Sequence, residues 1–355
     1  MNKHEIPEPP ETFQDRLSDA MSPRTLLMGL GVLLLQFGFI VSYIGAFHHP
    51  IPHRIPVTVV AAHASVAGQV ADRLNSLPGQ PFRAKPGSSE GAARNALRAD
   101  ETSAVYLIDA AGCNDRLLVA SAGGSSVSAA AEEIFTKIAQ QQRRSIAVDD
   151  VVPVQPGDAR GLSGFYLVIG WVVGGYLFAA VLGVAKGERP ATFRRAVWRL
   201  AATVPYSVLS GMGGALIVGP LLAALNANFW AVSGIGALAT LSAATVTVAF
   251  QTLMGVVGIG LTVIVFVILG NPAAGGAYQP ALLPPFWRAL STVLPNGAGT
   301  EALRRITYFD GHSLHTSVIV LIGWIVAGTI LTLAASRMSL RTLILSSPVT
   351  APSAD

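Results

Sequence analysis

The chain has 355 residues, of which 51% are hydrophobic and only 12% charged, and its formal charge is +4. A soluble domain of this size carries about twice that share of charge, so an ordinary soluble globular protein is excluded. The single cysteine, Cys113, excludes an intramolecular disulfide, and 36 glycines with few aromatics suit helices that approach closely in lipid.

Residues 1–24 mix prolines with both signs of charge and read as a mobile or interfacial tail. Residues 25–47 form an apolar run with Ser22 as N-cap and Pro23 at the first helical position. The run is long enough to span a bilayer and ends without a small-x-small site, so it reads as an uncleaved signal anchor, transmembrane helix 1. His48, His49 and His53 follow, with His63 nearby. Pro50 and Pro52 prevent the helical spacing that aims two imidazoles at one ion, so no metal is expected.

Residues 48–161 have balanced charge and no long apolar run, and they read as one compact α/β domain. Strands are expected at 56–61, 103–108, 116–120 and 145–152, and helices at 66–77, 88–100 and 125–142. The order is β-α-β-α-β-β-α-β, with no bounds assigned to the second strand. Asp109, Asp115, Glu132 and Glu133 are expected on the solvated surface. Cys113 has no neighbouring base in sequence and is expected to be unreactive.

A second span at 162–185 leads into Lys186, Glu188, Arg189, Arg194, Arg195 and Arg199, the strongest basic cluster beside any span. Basic loops stay in the cytoplasm, which puts residues 48–161 outside and both termini inside. Residues 200–270 contain no acidic residue, no basic residue and no histidine. At about 1.5 Å per residue this stretch is roughly three times the thickness of a hydrocarbon core of about 30 Å, so it must fold back. A span at 200–225, a turn at Asn226, Ala227 and Asn228, and two spans within 229–270 turning near Gln251 are expected. An extended outer segment, 271–313, and a last span, 314–335, complete six transmembrane helices. The membrane domain is then 162–335 and the cytoplasmic tail 336–355. Arg288, Arg304 and Arg305 in the outer segment run against the charge rule, partly offset by Glu301 and Asp310.

Carriers driven by protons or sodium keep ionisable groups near the bilayer midplane, and here there are none, so the energy enters elsewhere. The glycine-rich run 255–260 lacks the Lys-Ser/Thr that cradles a nucleotide phosphate. No span offers a catalytic combination of residues, so the chain is not expected to be an enzyme or to hold a cofactor. Gly170 with Gly174, and Gly211 with Ala215, have the small-xxx-small spacing of close crossings. Ser207, Ser210, Ser233, Thr240, Thr245 and Thr247 supply hydroxyls for a central path. Pro284, Pro285, Phe286 and Trp287 suit a headgroup region, while Phe286, Leu290, Val293 and Leu294 share one helical face. This pattern reads as a short interfacial or re-entrant element, or as an ordinary outer loop anchored by aromatics.

The segment 270–311 contains Gly270-Asn271-Pro272-Ala273-Ala274-Gly275-Gly276, Leu283-Pro284-Pro285-Phe286-Trp287-Arg288, Leu294-Pro295, Gly297 and Ala302-Leu303-Arg304-Arg305-Ile306-Thr307-Tyr308-Phe309. With these motifs the chain resembles the membrane subunits of the ABC transporter type-2 permease superfamily. The closer match is to the branch with a large outer domain, which includes phage-infection-protein-like membrane proteins. The resemblance implies the membrane subunit of an exporter in the plasma or inner membrane, working with a separate ABC ATPase as a homodimer or heterodimer. Lys186, Glu188, Arg189, Arg194 and Arg195 would then dock the ATPase, with Pro190 and Thr192 starting a coupling helix. The same residues also serve as a topology signal against anionic lipid. Asn271, Pro272, Gly275, Gly276, Pro284, Phe286, Trp287, Arg304 and Tyr308 would form an outer gate. A charge-free interior favours amphipathic or lipid-like cargo. The competing reading is a non-transporting multi-pass surface protein whose outer domain binds a partner or phage. No nucleic acid is expected as a partner.

Overall fold

The computed structural model describes residues 23–186 and 192–345. The expected N-terminal tail, residues 187–191 of the basic loop and the end of the C-terminal tail therefore lie outside the described residues. The first helix, α1 (Pro23–Phe47), is apolar on all sides and only 6% of its most apolar stretch is buried. It lies at the edge of the molecule, where Ser42 hydrogen-bonds the Ile268 carbonyl.

The α/β domain follows in the expected order. It runs β1 (Ile55–Val60), α2 (Ala64–Asn75), β2 (Phe82–Pro86), α3 (Glu90–Arg98), β3 (Ala104–Leu107), β4 (Asn114–Val119), α4 (Ser125–Gln141) and β5 (Ser145–Asp150). The sheet order is β2-β1-β3-β4-β5, parallel except where β4 turns back along β3. Right-handed crossovers from β1 to β2 and from β2 to β3 run in opposite directions across the sheet, which forces α2 and α3 onto opposite faces. Ala67, Ala71 and Leu74 of α2 and Val127, Ala131 and Phe135 of α4 accordingly share one core. Ala93 and Leu97 of α3 fill a second core with Val105, Leu107 and Leu118. Asp115 is fully buried, contrary to the solvated position expected of it, because Arg144 and Tyr106 converge on its carboxylate.

The rest is helical: α5 (Ser163–Lys186), α6 (Phe193–Leu216, prolonged through Ile217–Leu221), α7 (Phe229–Met254), α8 (Val257–Ala273), α9 (Pro285–Val293), α10 (Pro295–Tyr308) and α11 (Leu314–Leu345). Among the described residues five helices are long and apolar enough to cross a membrane: α1, α5, α6, α7 and α11. The stretch expected as the fifth of six spans forms the shorter apolar helix α8, which is not among these five. The turn before it falls at Gly255, not near Gln251. Gln251 is buried and still accepts the Gly255 N–H within the helix, whereas Gly255 adopts φ 64°, a left-handed conformation that ends it. The third span begins at Phe193, not at 200, because Thr192 caps α6 by accepting the Arg195 N–H at 3.3 Å.

Helix α7 is the centre of the bundle, with 72% of its most apolar stretch buried and α5, α6, α10 and α11 packed around it. Small residues allow these crossings, since a Cβ at Gly175, Gly211 or Gly328 would fall on the α7 backbone. Of the expected close-contact pairs, Gly211 and Ala215 meet α7, Gly174 faces the Tyr206 hydroxyl, and Gly170 has open space around it. The hydroxyls expected along a path are mostly spent in this packing. Thr245 and Thr247 donate to the carbonyls of Leu241 and Ala243, and Thr240 bonds Ser210 at 3.3 Å. Ser207 and Ser233 are buried without a partner.

Segment 271–313 is not extended. Two helices, α9 and α10, fold back as a hairpin, and α10 is buried against α5, α7 and α11 from Pro295 to Thr300. Thr300 donates to the Asn296 carbonyl and the Asn296 amide N–H to the Phe266 carbonyl inside the protein, while Asn296 Oδ1 and Gln279 Oε1 of the same segment are buried without a partner.

Candidate functional site

The α/β domain is joined to one end of the bundle through several contacts. Residues 51–53 run beside residues 281–282, with the N–H of Ile51 donating to the Leu282 carbonyl and that of His53 to the Ala281 carbonyl. Leu282 is buried in the main core of the α/β domain, so the segment after α8 completes a domain that precedes it by more than a hundred residues. Ser126 at the start of α4 donates to the Ala277 carbonyl at 2.7 Å. The Gln155 amide pairs with the Asn226 backbone, and the Tyr308 hydroxyl donates to Asp158 at 2.6 Å. The 223–226 turn thus lies at the domain-bearing end, and the end of α5, the start of α6 and the α7–α8 connection lie at the opposite end.

Between domain and bundle lies a cavity of about 370 Å³. Residues 100–103 after α3, the start of α4, residues 274–281 and helices α9, α10 and α11 all contribute to its walls. Four charged groups meet there. Glu301 accepts from Arg304 and from Arg305, both at 2.7 Å, and Arg305 reaches across to Asp100 of the α/β domain at 3.1 Å. Arg304 also donates to the Gly275 carbonyl and Arg305 to that of His312, so these guanidinium groups are held by acceptors on α10 and its neighbours. Burial and the Glu301 carboxylate push the Asp100 carboxyl up to about 6, against the pull of Arg305 and Arg304. Arg304 and Arg305, which run against the charge rule in the sequence, are therefore neutralised locally. Arg288 instead donates to the carbonyls of Pro280 and Leu283.

The residues expected at the gate divide into two groups. Gly275, Gly276, Arg304 and Tyr308 lie at the junction beneath the domain, with Asn271 and Pro272 just before them in the last turn of α8. Asn271 accepts from Asn296 at 2.9 Å, Pro272 is buried, and a Cβ at Gly276 would meet the Phe165 ring at 2.5 Å. Gly275 and Arg304 are joined by their hydrogen bond, and Tyr308 is tied to Asp158. Pro284, Phe286 and Trp287 instead belong to the start of α9. Trp287 is buried with Ala46, Ala273, Leu283 and Leu294, while Phe286 is 58% exposed. The single apolar face expected of α9 is therefore split, with Phe286 and Val293 outward and Leu294 inward.

Of the expected docking residues, Glu188, Arg189 and Pro190 lie outside the described residues and Lys186 is the last residue of α5. Arg194 and Arg195 are exposed in the first turn of α6, which Thr192 caps. The Arg337 guanidinium lies 4.7 Å from the centre of the Phe193 ring beside them. Cations disfavour a helix N-terminus, so an anionic partner at this turn would relieve that repulsion.

Sequence reasoning missed Asp100, Gln279, Gly124 and the pairing role of Glu301. The signal present was Glu301, Arg304 and Arg305 at helical spacing in a half-chain otherwise poor in charge. Among the described residues no group of three His, Cys, Asp or Glu could hold a metal ion. Comparison with protein-family models, curated proteins and solved structures finds no match in any of the three.

Proposed function

We propose that the chain is the membrane subunit of an ABC-type exporter that works with a separate ATPase as a homodimer or heterodimer, moving an amphipathic or lipid-like cargo. The observation that carries this reading is the α9–α10 hairpin, whose α10 arm is packed inside the bundle under the α/β domain beside a cavity of about 370 Å³. A helical plug of this kind, facing a charge-free central helix, suits a pathway whose two ends open in turn. An anchor for a surface receptor needs neither. ATP hydrolysis then belongs to the partner, and the exposed turn with Arg194 and Arg195 is the surface through which its motion enters. In this reading the α/β domain is outside and both termini are cytoplasmic, in the plasma or inner membrane.

The test is purification of the tagged full chain in mild detergent, with identification of its partners and an ATPase assay on the eluate. An ATP-binding subunit recovered with wild type and lost with Arg194→Glu/Arg195→Glu at normal membrane levels supports the permease. Absence of an ATPase under conditions that preserve a known transporter complex overturns it and leaves the α/β domain as the functional part.

A further inference from the structure

The hydrogen bonds already made around the junction cavity determine which ones are left for a ligand. All three Arg305 nitrogens are engaged, by Glu301, by the His312 carbonyl and by Asp100, and both terminal nitrogens of Arg304 are engaged by Glu301 and the Gly275 carbonyl. Both guanidinium charges are thus paired with carboxylates, Arg304 with Glu301 and Arg305 with Glu301 and Asp100, although not all of their N–H donors are used by these bonds. Acceptors remain. Gln279 is 7% exposed, lines the cavity, and its Oε1 has no partner. Asp100 also lines the cavity and gives only Oδ2 to Arg305.

The two acceptors flank the same pair of residues. Asp100 Oδ1 lies 3.4 Å from where a Cβ would stand on Gly123, and Gln279 Oε1 lies 2.7 Å from where one would stand on Gly124. Gly124 has φ 150° and leaves the space that the Gln279 side chain occupies, so a larger residue would displace the amide. Ser128 and Ser317 add hydroxyls to the lining, and Val127, Ala281, Ala298 and Val320 add apolar wall. Thr292 and Thr316 are exposed as well as lining, so the cavity opens between the end of α9 and the start of α11. The surface beyond that opening continues as exposed Val293 and Ile319.

We propose that this cavity binds an amphipathic amine, its ammonium held by Asp100 and Gln279 and its apolar body leaving between α9 and α11. An ammonium carries three donors and no acceptor, which matches a site with unmet acceptors and paired cations. A volume of about 370 Å³ holds the head and the first part of a chain, not a whole long-chain lipid. The incomplete compensation of the Asp100 charge agrees, since an ammonium supplies what Arg305 does not. The inference rests on the reading of an amphipathic cargo, but binding is measured without an ATPase, so failure of transport and failure of amine recognition are told apart.

The experiment is calorimetric titration of the purified full chain at pH 7.5 with n-octylamine, n-octanol and n-octyl phosphate, which share one chain and differ in head group. Octylamine is expected to bind saturably and at least about tenfold more tightly than the other two, the difference that one charge-assisted hydrogen bond makes. Gln279→Met keeps the side-chain length without the amide and should weaken the amine about fivefold or more, and Asp100→Asn about tenfold, with octanol binding unchanged in both. Octanol binding as tightly as octylamine overturns the ammonium site, and tighter octyl phosphate reverses its polarity. Undiminished amine binding in a folded Gln279→Met also overturns it. The comparison among the three probes needs no variant, so the proposal stays testable even where Asp100→Asn fails to fold.

Discussion

At the scale of single residues, Asp100 gives the clearest pH signature. Its carboxyl is raised from 3.8 to about 6, chiefly by burial and then by Glu301, so the folded chain holds this proton more tightly than the unfolded one. A raised acid contributes stability that is complete below its unfolded value and lost as pH rises through its folded one, here between about 4 and 6. Asp115 has the opposite sign. Burial works against its charge, but Arg144, the Tyr106 hydroxyl and the Asp109 N–H together hold it below the usual range. Its contribution is therefore present at neutral pH and lost as pH falls. Comparing wild type with Asp100→Asn cancels the Asp115 effect. The melting temperature of wild type relative to the variant should fall as pH rises from 4.5 to 7.5, by the equivalent of roughly 1–3 kcal/mol. A difference that stays flat across that range removes Asp100 as a titrating group. Neither residue's role was legible in the sequence. Asp100 reads as the end of a helix and Asp115 as surface, because their partners Arg305 and Arg144 come from distant parts of the chain.

At the scale of elements, legibility followed apolar periodicity. The spans and the α/β alternation were visible because burial on one side of a strand, or on all sides of a membrane helix, imposes a pattern on the residues themselves. Strand β2, Phe82-Arg83-Ala84-Lys85-Pro86, alternates buried and exposed positions but carries two cations at the sheet edge, so no bounds could be set for it. Helix α10 was hidden for the opposite reason. Its Asn, Gly and Thr residues read as loop, and they are buried as a helix only because neighbouring elements accept them, with a Cβ at Gly297 or Gly299 meeting Ser291 or Val168. The same logic separates two glycines that look alike in sequence. Gly211→Leu drives a side chain into the α7 backbone at Ser233 and Gly236, and it should destabilise by more than about 3 kcal/mol. Gly170→Leu enters open space and should leave stability within about 1 kcal/mol of wild type. Thermal unfolding of both in one detergent checks this, and equal losses would mean that α6 and α7 do not cross at Gly211.

At the scale of the whole molecule, the chain enters and leaves the bundle in an order that fixes which parts share a side. The α/β domain, the 223–226 turn and the α9–α10 hairpin are at one end, and the first turn of α6 and the α7–α8 turn are at the other. This internal arrangement is independent of which side is the cytoplasm. In the proposed reading the charge rule makes that choice, and Arg304 and Arg305, which run against it, are paired with Glu301 and Asp100. The chain also carries its own reporter, because Cys113 is exposed in the loop between β3 and β4 and no other cysteine is present. A membrane-impermeant maleimide applied to spheroplasts expressing the wild-type chain should label Cys113 to near the level reached after lysis. In a Cys113→Ser background, Arg194→Cys should be labelled only after lysis, since Arg194 is exposed at the opposite end. Protection of Cys113 together with labelling of the residue-194 thiol would invert the molecule. The basic turn would then face away from any cytoplasmic ATPase, and the exporter reading would fall with the orientation, while the junction cavity and its unmet acceptors would stand.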